Sequence, residues 1–305
     1  MPRFSVVVPA YNAEATLSET LDAIVGQEFA DWECVVVDDG STDDTAALGR
    51  TYSAREPRIH IASQANQGTA GAYNTGVALA QGEFITICSA DDLLLPSHLS
   101  AMNAFIVENN GYDIYSCNGY YLFADGHREP VYTGDEWRSK RSLSLAQLAE
   151  ACFFGVGATF RTGLFRAIGG FRIGVYGEDY DFWLRALSSG AKHCYSPAPT
   201  ALHRISASQK SASLDRVFTS DVEILEAILH DPALSKDDVA AVREVIAARA
   251  LRREEMRIND AVRAGVNRVL GRTLGNESVR ALRRLSWLVR PAKVALARRR
   301  LRSRS

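Results

Sequence analysis

Val35-Val36-Val37-Asp38-Asp39-Gly40-Ser41 and Phe84-Ile85-Thr86-Ile87-Cys88-Ser89-Ala90-Asp91-Asp92 each run from a short apolar stretch straight into paired carboxylates. Continuous apolar runs of this kind are strands covered on both faces. In an open α/β sheet, ligands bind outside the carboxyl ends of the strands. Two acidic strand tips at that edge suit a ligand held through hydroxyls, ring nitrogens or a hard cation. They do not suit bare phosphate gripped by backbone and lysine.

Outward from these segments, the first half of the chain alternates between strand-like and helix-like stretches. Phe4–Val8, Glu33–Val37, Arg58–Ile61 and Glu83–Cys88 read as strands. Between them, Ala13–Gln27 has helical spacing with Leu17, Leu21, Ile24 and Val25 to one side, and Asp43–Arg55 is a helix that Ser41 or Thr42 can cap. Gly68–Ala80 is rich in small residues and predicts a closely packed helix; Pro96–Glu108 predicts the next one. This βαβαβαβ series predicts an α/β fold, a mostly parallel Rossmann-like sheet flanked by helices.

After Gly111 the rhythm changes. Asp113–Phe123 and Phe153–Phe160 read as longer strands separated by the polar stretch Asp125–Ser144. Glu178–Ser189 resumes helical spacing, and Lys192–Ser196 reads as a last strand before Pro197 and Pro199. From Leu214 the pattern is helical, over Val217–Leu229 and Lys236–Val262. The expected organisation is a sheet-bearing α/β domain over 1–213, a helical C-terminal region over 214–279 and a basic tail over 280–305.

With 305 residues, 47% hydrophobic and 23% charged, the chain has the make-up of an ordinary globular protein with a substantial core. Its net charge of -1 conceals an asymmetry: the stretch Arg280–Ser305 is rich in arginine and has no acidic residue, so an acidic body carries a basic tail. Cys34, Cys88, Cys117, Cys152 and Cys194 are odd in number and form no CxxC pair, which predicts buried free thiols in a reducing compartment. Phe4-Ser5-Val6-Val7-Val8 is too short an apolar run for a signal peptide, and no stretch approaches the ~20 apolar residues of a membrane span. The expected location is the cytoplasm, including the inner face of the cell membrane.

Three constellations carry chemistry. In Asp38-Asp39-Gly40-Ser41, Gly40 permits a positive-φ turn, so the carboxylates can project from the strand tip toward a ligand. The same residues also suit plain helix capping, and the motif alone does not separate the two. In Ala90-Asp91-Asp92, adjacent carboxylates repel, and taking up a cation relieves the repulsion. Mg2+ typically uses one or two carboxylates together with substrate phosphates; a solvated turn is the alternative. Gly177-Glu178-Asp179-Tyr180-Asp181-Phe182-Trp183-Leu184-Arg185 opens a helix with three acids, which complements the helix dipole. The glycines at 169, 170, 174 and 177 describe a loop near a ligand, where a carboxylate that reaches the substrate proton can act as a general base.

Taken in order, these segments resemble family 2 glycosyltransferases. Val6-Val7-Val8-Pro9-Ala10-Tyr11-Asn12-Ala13 and Val36-Val37-Asp38-Asp39-Gly40-Ser41-Thr42-Asp43 match the family's opening. Asn66-Gln67-Gly68, Asn74-Thr75-Gly76, Gly82-Glu83, Ala90-Asp91-Asp92, Gly169-Gly170-Phe171 and Glu178-Asp179 through Trp183-Leu184-Arg185 continue it. The resemblance covers about residues 4–205 and does not reach the C-terminal third.

The resemblance implies a GT-A fold, a nucleotide-sugar donor (a UDP-sugar first), Mg2+ or Mn2+, and inversion at the anomeric carbon. Carried over by position, Pro9, Ala10, Tyr11 and Asp39 surround the nucleoside, with Asp39 accepting from the base. Asn66 and Gly68 join this nucleotide-sugar site, and Asp91 contacts the ribose or donor sugar. Asp92 binds the metal that bridges the diphosphate. Asp179 is the base, with Glu178 beside it at the acceptor. His203 lies where such enzymes often place a histidine near the diphosphate; a plain surface histidine is the other reading. The family usually writes Asp-x-Asp-Asp, and Ser89 here takes the first position. If the final Asp holds the metal, little is lost; if the first carboxylate matters, metal affinity falls. The implied role is sugar transfer to a saccharide or lipid-linked acceptor in cell-surface polysaccharide or glycoconjugate synthesis.

Rival readings are weaker. A nicotinamide dehydrogenase needs GxGxxG after the first strand, where this chain has Pro9-Ala10-Tyr11-Asn12-Ala13. A sugar nucleotidyltransferase should carry a Gly-rich loop with Arg or Lys at that place. A non-catalytic nucleotide-sugar binder is motivated only by Ser89. In the tail, Leu282, Leu285 and Val289 share a helical face flanked by Arg280, Arg283 and Arg284. That pattern suits an interfacial anchor on anionic lipid, each nearby basic residue contributing ~1 kcal/mol; a solvated terminus is the alternative. Nucleic acid is not an expected partner of an acidic body without a recognised binding module.

Overall fold

The computed structural model describes residues 1–132, 142–150, 154–206 and 214–273. In chain order these residues form β1 (Phe4–Ala10), α1 (Leu17–Val25), β2 (Trp32–Asp38), α2 (Thr45–Arg55), β3 (Ile59–Ser63), α3 (Gly68–Leu79) and β4 (Phe84–Ile87). There follow β5 (Leu93–Leu94), α4 (His98–Glu108), β6 (Ile114–Leu122), β7 (Arg128–Pro130), α5 (Leu145–Glu150), β8 (Thr159–Arg161) and α6 (Thr162–Ala167). The last elements are α7 (Glu178–Ser188), β9 (His193–Arg204), α8 (Leu214–Ile228) and α9 (Lys236–Thr273).

The strands make one sheet in the order β3-β2-β1-β4-β8-β6-β9-β5, with β7 on β6. β3, β2, β1 and β4 are mutually parallel. Every residue of β1 and β2 is buried, which is why Val6–Val8 and Cys34–Val37 are continuous apolar runs rather than alternating ones, while buried Ser5 and Glu33 are hydrogen-bonded to each other. The chain steps from β1 to β2 on one side and later returns as β4 on the other. That reversal opens a crevice at the carboxyl end of β1, the place where such sheets bind ligands.

The alternating pattern covers this parallel half. Beyond it, β8 enters antiparallel between β4 and β6, while β9 runs parallel to β6, so the complete sheet is mixed. The change of rhythm after Gly111 marks the place, but an insertion between two earlier strands leaves no local signal. The strand expected over Phe153–Phe160 is confined to Thr159–Arg161 among the described residues. The strand expected to stop at Ser196 runs on to Arg204. Register shifts on both sides of Asn118 absorb Pro197 and Pro199, which cannot donate to a ladder. Nor do Ser41 or Thr42 cap α2. Its N-cap is Asp44, and the Asp43 carboxylate receives the Thr45 amide at 3.0 Å.

The small residues of α3 do bring it close to the sheet. A Cβ at Gly76 would stand 2.3 Å from Val7 Cγ1 and 3.3 Å from Val37 Cγ2. The main core joins β1, β2 and β4 to α1 and α4 through Phe4, Val6, Val8, Leu17, Leu21, Ile24, Phe84 and Leu99. Cys34, Cys88, Cys117 and Cys194 are buried free thiols, as expected; Cys152 lies outside the described residues.

The chain divides into two compact units, Met1–Val239 and Ala240–Ser305, so α8 belongs with the sheet. The described part of the second unit is the continuation of α9 to Thr273, and the basic tail lies outside the described residues. Among the described residues, no helix is long and apolar enough to cross a membrane.

Two buried histidines tie the second half of the sheet. His193 Nδ1 accepts from the Leu143 amide at 3.2 Å, so Nε2 carries the proton and donates to Ser116 Oγ at 2.7 Å. His98 Nδ1 pairs with Thr200 Oγ1 at 2.9 Å. Burial lowers both imidazoles, to about 3 for His193 and about 4 for His98. In the unfolded chain a histidine titrates near ~6.5, so below that pH the unfolded state takes up more protons. The stability these neutral rings contribute is complete above pH ~6.5 and is lost as the pH falls toward the folded values. Urea midpoints should therefore drop between pH 7 and pH 4. The fall should be shallower in His193→Gln, and an identical slope in that variant would contradict the assignment.

Candidate active site

The site grows from three neighbouring strand tips. The backbone holds the first two together: the Asp39 amide donates to Ala10 O at 2.8 Å, and Ala10 is in register with Asp38. Asn12, in the left-handed region at φ 48°, accepts from the Thr42 amide at 2.9 Å and donates its own amide to Ser41 Oγ at 3.0 Å. Ser41 and Thr42 thus join the loops after β1 and β2. Tyr11 stands at the rim with 53% of its surface exposed, beside buried Pro9 and Ala10.

Asp39 is buried. Its Oδ1 accepts from Gln64 Nε2 at 2.7 Å and from the Gln67 amide at 2.9 Å. The segment bearing Asn66 and Gly68 is therefore fastened to the Asp38-Asp39-Gly40 turn. Gly40 has φ 75°, and a Cβ there would lie 3.0 Å from the Asn66 amide nitrogen, so the close approach and the turn both require glycine. Asn66 and Gly68 themselves are exposed at the opening of α3.

The third tip follows β4. Asp91 is half-buried and Asp92 is buried. Asp92 Oδ1 accepts from His203 Nδ1 at 3.1 Å and from the Arg204 amide at 3.0 Å, leaving Oδ2 outside that pair of bonds. These partners are 111 and 112 residues away in the chain. They meet because β5 pairs with β9, Leu93 opposite Leu202, which sets the residues preceding Leu93 beside those following Leu202. Arg204 also donates to Asp91 O at 3.0 Å and pairs with Glu19.

Burial raises the Asp92 carboxyl above its ordinary range, against the lowering effect of the His203 bond. His203 is also raised. Burial pulls it down, but the bond and charge of Asp92, with the charges of Asp91 and Asp179, outweigh that. The Asp179 charge thus acts on the same imidazole that Asp92 holds.

Asp179 arrives from the other half of the chain, in the first turn of α7. There Glu178 and Asp181 are buried and Asp179 is only half-buried. The loop ahead of α7 is clamped twice. Asn74, on α3, donates Nδ2 to Phe171 O at 2.8 Å and accepts the Phe171 amide on Oδ1 at 2.9 Å, while Tyr73 stacks on the Phe171 ring at 5.1 Å. Arg185 bonds Asp181 Oδ2 at 2.8 Å, Ile168 O at 2.8 Å and Gly170 O at 2.7 Å. Burial, together with the nearby charges of Cys88, Glu178 and Asp179, raises the Tyr73 phenol well above its ordinary value. Ser89, the departure from the family's acidic motif, is half-buried and interacts with that phenol.

The structure therefore brings Asp39, Asp91, Asp92, Asp179 and His203 to the carboxyl edge of one sheet. Asp181 is turned instead to a structural ion pair. Sequence reading missed Arg204, Asn74 as a clamp and the Asp181–Arg185 pair. Asn74 stood within a quoted motif, but its partner lies 97 residues on.

The family model described as glycosyl transferase family 2 matches residues 5–169. The chain is 28% identical over 262 residues to the succinoglycan biosynthesis protein ExoU of Rhizobium meliloti (strain 1021), covering 78% of this chain and 72% of that one. It spans only about two-fifths of the length of other curated relatives that it matches. Among solved structures, the mannosyltransferase PcManGT from Pyrobaculum calidifontis, in complex with GDP-Man and Mn2+, superposes with a TM-score of 0.66 at 20% identity, over 97% of this chain and 86% of that one. S. aureus TarS 1-349 in complex with UDP-GlcNAc superposes with a TM-score of 0.64 at 21% identity, over 82% of this chain and 72% of that one. These likenesses show the fold to be of the GT-A type. With its own family match covering more than half of it, the chain belongs to glycosyl transferase family 2.

Proposed function

We propose that this protein moves a sugar from a nucleoside diphosphate to an acceptor hydroxyl, with inversion at the anomeric carbon and a divalent cation on the diphosphate. The observation that carries this reading is the meeting of buried Asp92 with His203 at the strand crevice. The family match ends at residue 169, so the roles of Asp179 and His203 are supported by the resemblance of the segment beyond it and by their shared interactions with the Asp92 end of the crevice.

The residues fit a hard cation. A buried carboxylate whose charged form is penalised by burial gains from a cation beside it. Among the described residues no group of three or more His, Cys, Asp or Glu forms a closed metal cage. Mg2+ does not need one, since it takes one or two carboxylates and completes its shell with phosphate oxygens and water. Asp92 would hold the ion with His203 adjacent, and Mg2+ and Mn2+ both suit an oxygen-rich set. Bound there, the cation would offset the charge that builds on the departing diphosphate.

The chain's own groups do the rest. Tyr11, Pro9, Ala10 and Asp39 bound the nucleoside end, where Asp39 offers an acceptor to a base N–H. Asn66 and Gly68 flank that end, and Asp91 offers a carboxylate to donor hydroxyls. Asp179 takes the acceptor proton, with Glu178 beside it, while the sheet holds both reactants in line. The complexes named above, one with UDP-GlcNAc and one with GDP-Man and Mn2+, support a nucleotide-sugar donor. The name of ExoU supports a role in polysaccharide synthesis, with a saccharide or lipid-linked acceptor. In this reading residues 1–213 are the catalytic domain, 214–279 a helical extension and 280–305 a segment for an anionic membrane surface. Loss of flotation with acidic liposomes on deleting 280–305 checks that last assignment.

The test of the site is thermal shift against a panel of nucleoside diphosphates with and without Mn2+. A ligand stabilises by RT ln(1 + [L]/Kd), so one nucleotide should stand out, and only with metal. Asp92→Asn should abolish the metal-dependent part of that shift. A shift with no metal dependence for any nucleotide would overturn the proposed centre.

A further inference from the structure

A second cleft, of about 420 Å³, lies between the loop ahead of α7 and one face of α8. Its α8 wall is Arg216, Thr219, Ser220, Glu223, Ile224 and Ala227, positions that recur on one side of a helix. Across from them stand Arg172, Val175, Tyr176 and Asp181. The two walls are tied where Ser220 Oγ donates to Tyr176 O. The volume falls in the range of small-ligand sites, roughly 300–1,000 Å³.

The chemistry of the cleft is graded along its length. At one end the Arg216 guanidinium lies 4.4 Å over the Tyr176 ring. Arg172, with 52% of its side chain exposed, reaches Asp181 Oδ1 at 3.3 Å. Asp181 already has its main partner in buried Arg185 at 2.8 Å, so its single charge is shared between two guanidiniums, and with Arg216 the positive charges outnumber it. Glu223 sits about 10 Å further along the helix, two turns from Arg216. The Thr219 hydroxyl lies between the two ends, and Val175, Ile224 and Ala227 give the cleft an apolar floor.

Paired guanidiniums bind carboxylate or phosphate through forked hydrogen bonds, whereas a carboxylate and a hydroxyl bind sugar hydroxyls. Tyr176 and the apolar floor suit the C–H face of a sugar ring. We propose that this cleft is an accessory acceptor subsite for a saccharide that carries one oxyanion, held by Arg172 and Arg216, with Glu223 and Thr219 on its hydroxyls. Asp179 and Asp181 are about 200° apart around α7 at about 100° per residue, so the start of that helix separates this cleft from the donor crevice. The sugar held here is thus a neighbour of the reacting unit along the acceptor.

This inference rests on the proposed transfer reaction, but its test is binding and needs no turnover. Saturation-transfer NMR would compare glucuronic acid, glucose 6-phosphate, glucose and inorganic phosphate on the full chain. The expected result is that a charged sugar binds at least tenfold more tightly than glucose and than phosphate alone. The uronate and sugar-phosphate arms decide which oxyanion is preferred. Arg216→Ala should lose at least tenfold and Arg216→Lys less, both keeping the wild-type melting temperature and the metal-dependent nucleotide shift. Equal binding of glucose, or unchanged affinity in Arg216→Ala, would overturn the subsite. Absence of a nucleotide shift in the wild type would instead overturn the transfer reaction.

Discussion

Asp179→Asn should lower the rate of the proposed sugar transfer by ~10²–10⁴-fold, the usual worth of a positioned general base. The amide keeps the shape of the side chain and its place in the first turn of α7, so the fold and the donor crevice are undisturbed. Asp179 is half-buried, unlike its neighbours Glu178 and Asp181. The loss should fall mainly on kcat, because in this reading the proton is transferred only as the acceptor attacks, while a metal-dependent nucleotide shift is retained. Initial rates with a saturating donor check it. A variant within threefold of wild type would remove Asp179 from the chemistry and leave Glu178 as the acid to examine.

Arg185→Ala costs ~3–5 kcal/mol of folding stability, the range for removing one partner of a buried ion pair. Asp181 keeps only 2% of its side chain exposed, and Arg185 supplies its shorter contact, at 2.8 Å. The remaining partner, Arg172, lies at 3.3 Å and is half in solvent, so it cannot replace a buried, geometrically fixed guanidinium. The Ile168 and Gly170 carbonyls lose their donors in the same substitution. Urea denaturation measures the loss. The double variant Asp181→Leu with Arg185→Met should recover much of it, because an apolar pair avoids the stranded charge. Recovery of stability without recovery of transfer would separate the pair's energetic role from its hold on the loop that leads to Asp179.

The parallel half of the sheet was legible because each buried strand of that half is a continuous apolar run followed by a turn. Runs so short, β-branched and bounded by turn residues read as strands by length and composition rather than by period. α3 was legible from its small residues, which the close contact of Gly76 with Val7 requires. The second half was less so. Nothing local in Thr159–Arg161 says that it inserts between β4 and β6. The two prolines after Ser196 do not end the strand but are absorbed by a shift in pairing.

The sequence by itself determined which side chains stand at the strand tips, because a carboxylate directly after a buried strand has nowhere to go but the sheet's edge. It thereby supplied Asp39, Asp91 and Asp92, and the family resemblance added Asp179 and His203. Only the tertiary structure decided that His203 meets Asp92 and that Asn74 grips Phe171. Strand identity is a matter of neighbours along the chain, whereas these meetings depend on pairings across about 100 residues. Those pairings are settled by which buried surfaces fit one another, and no local spacing encodes that.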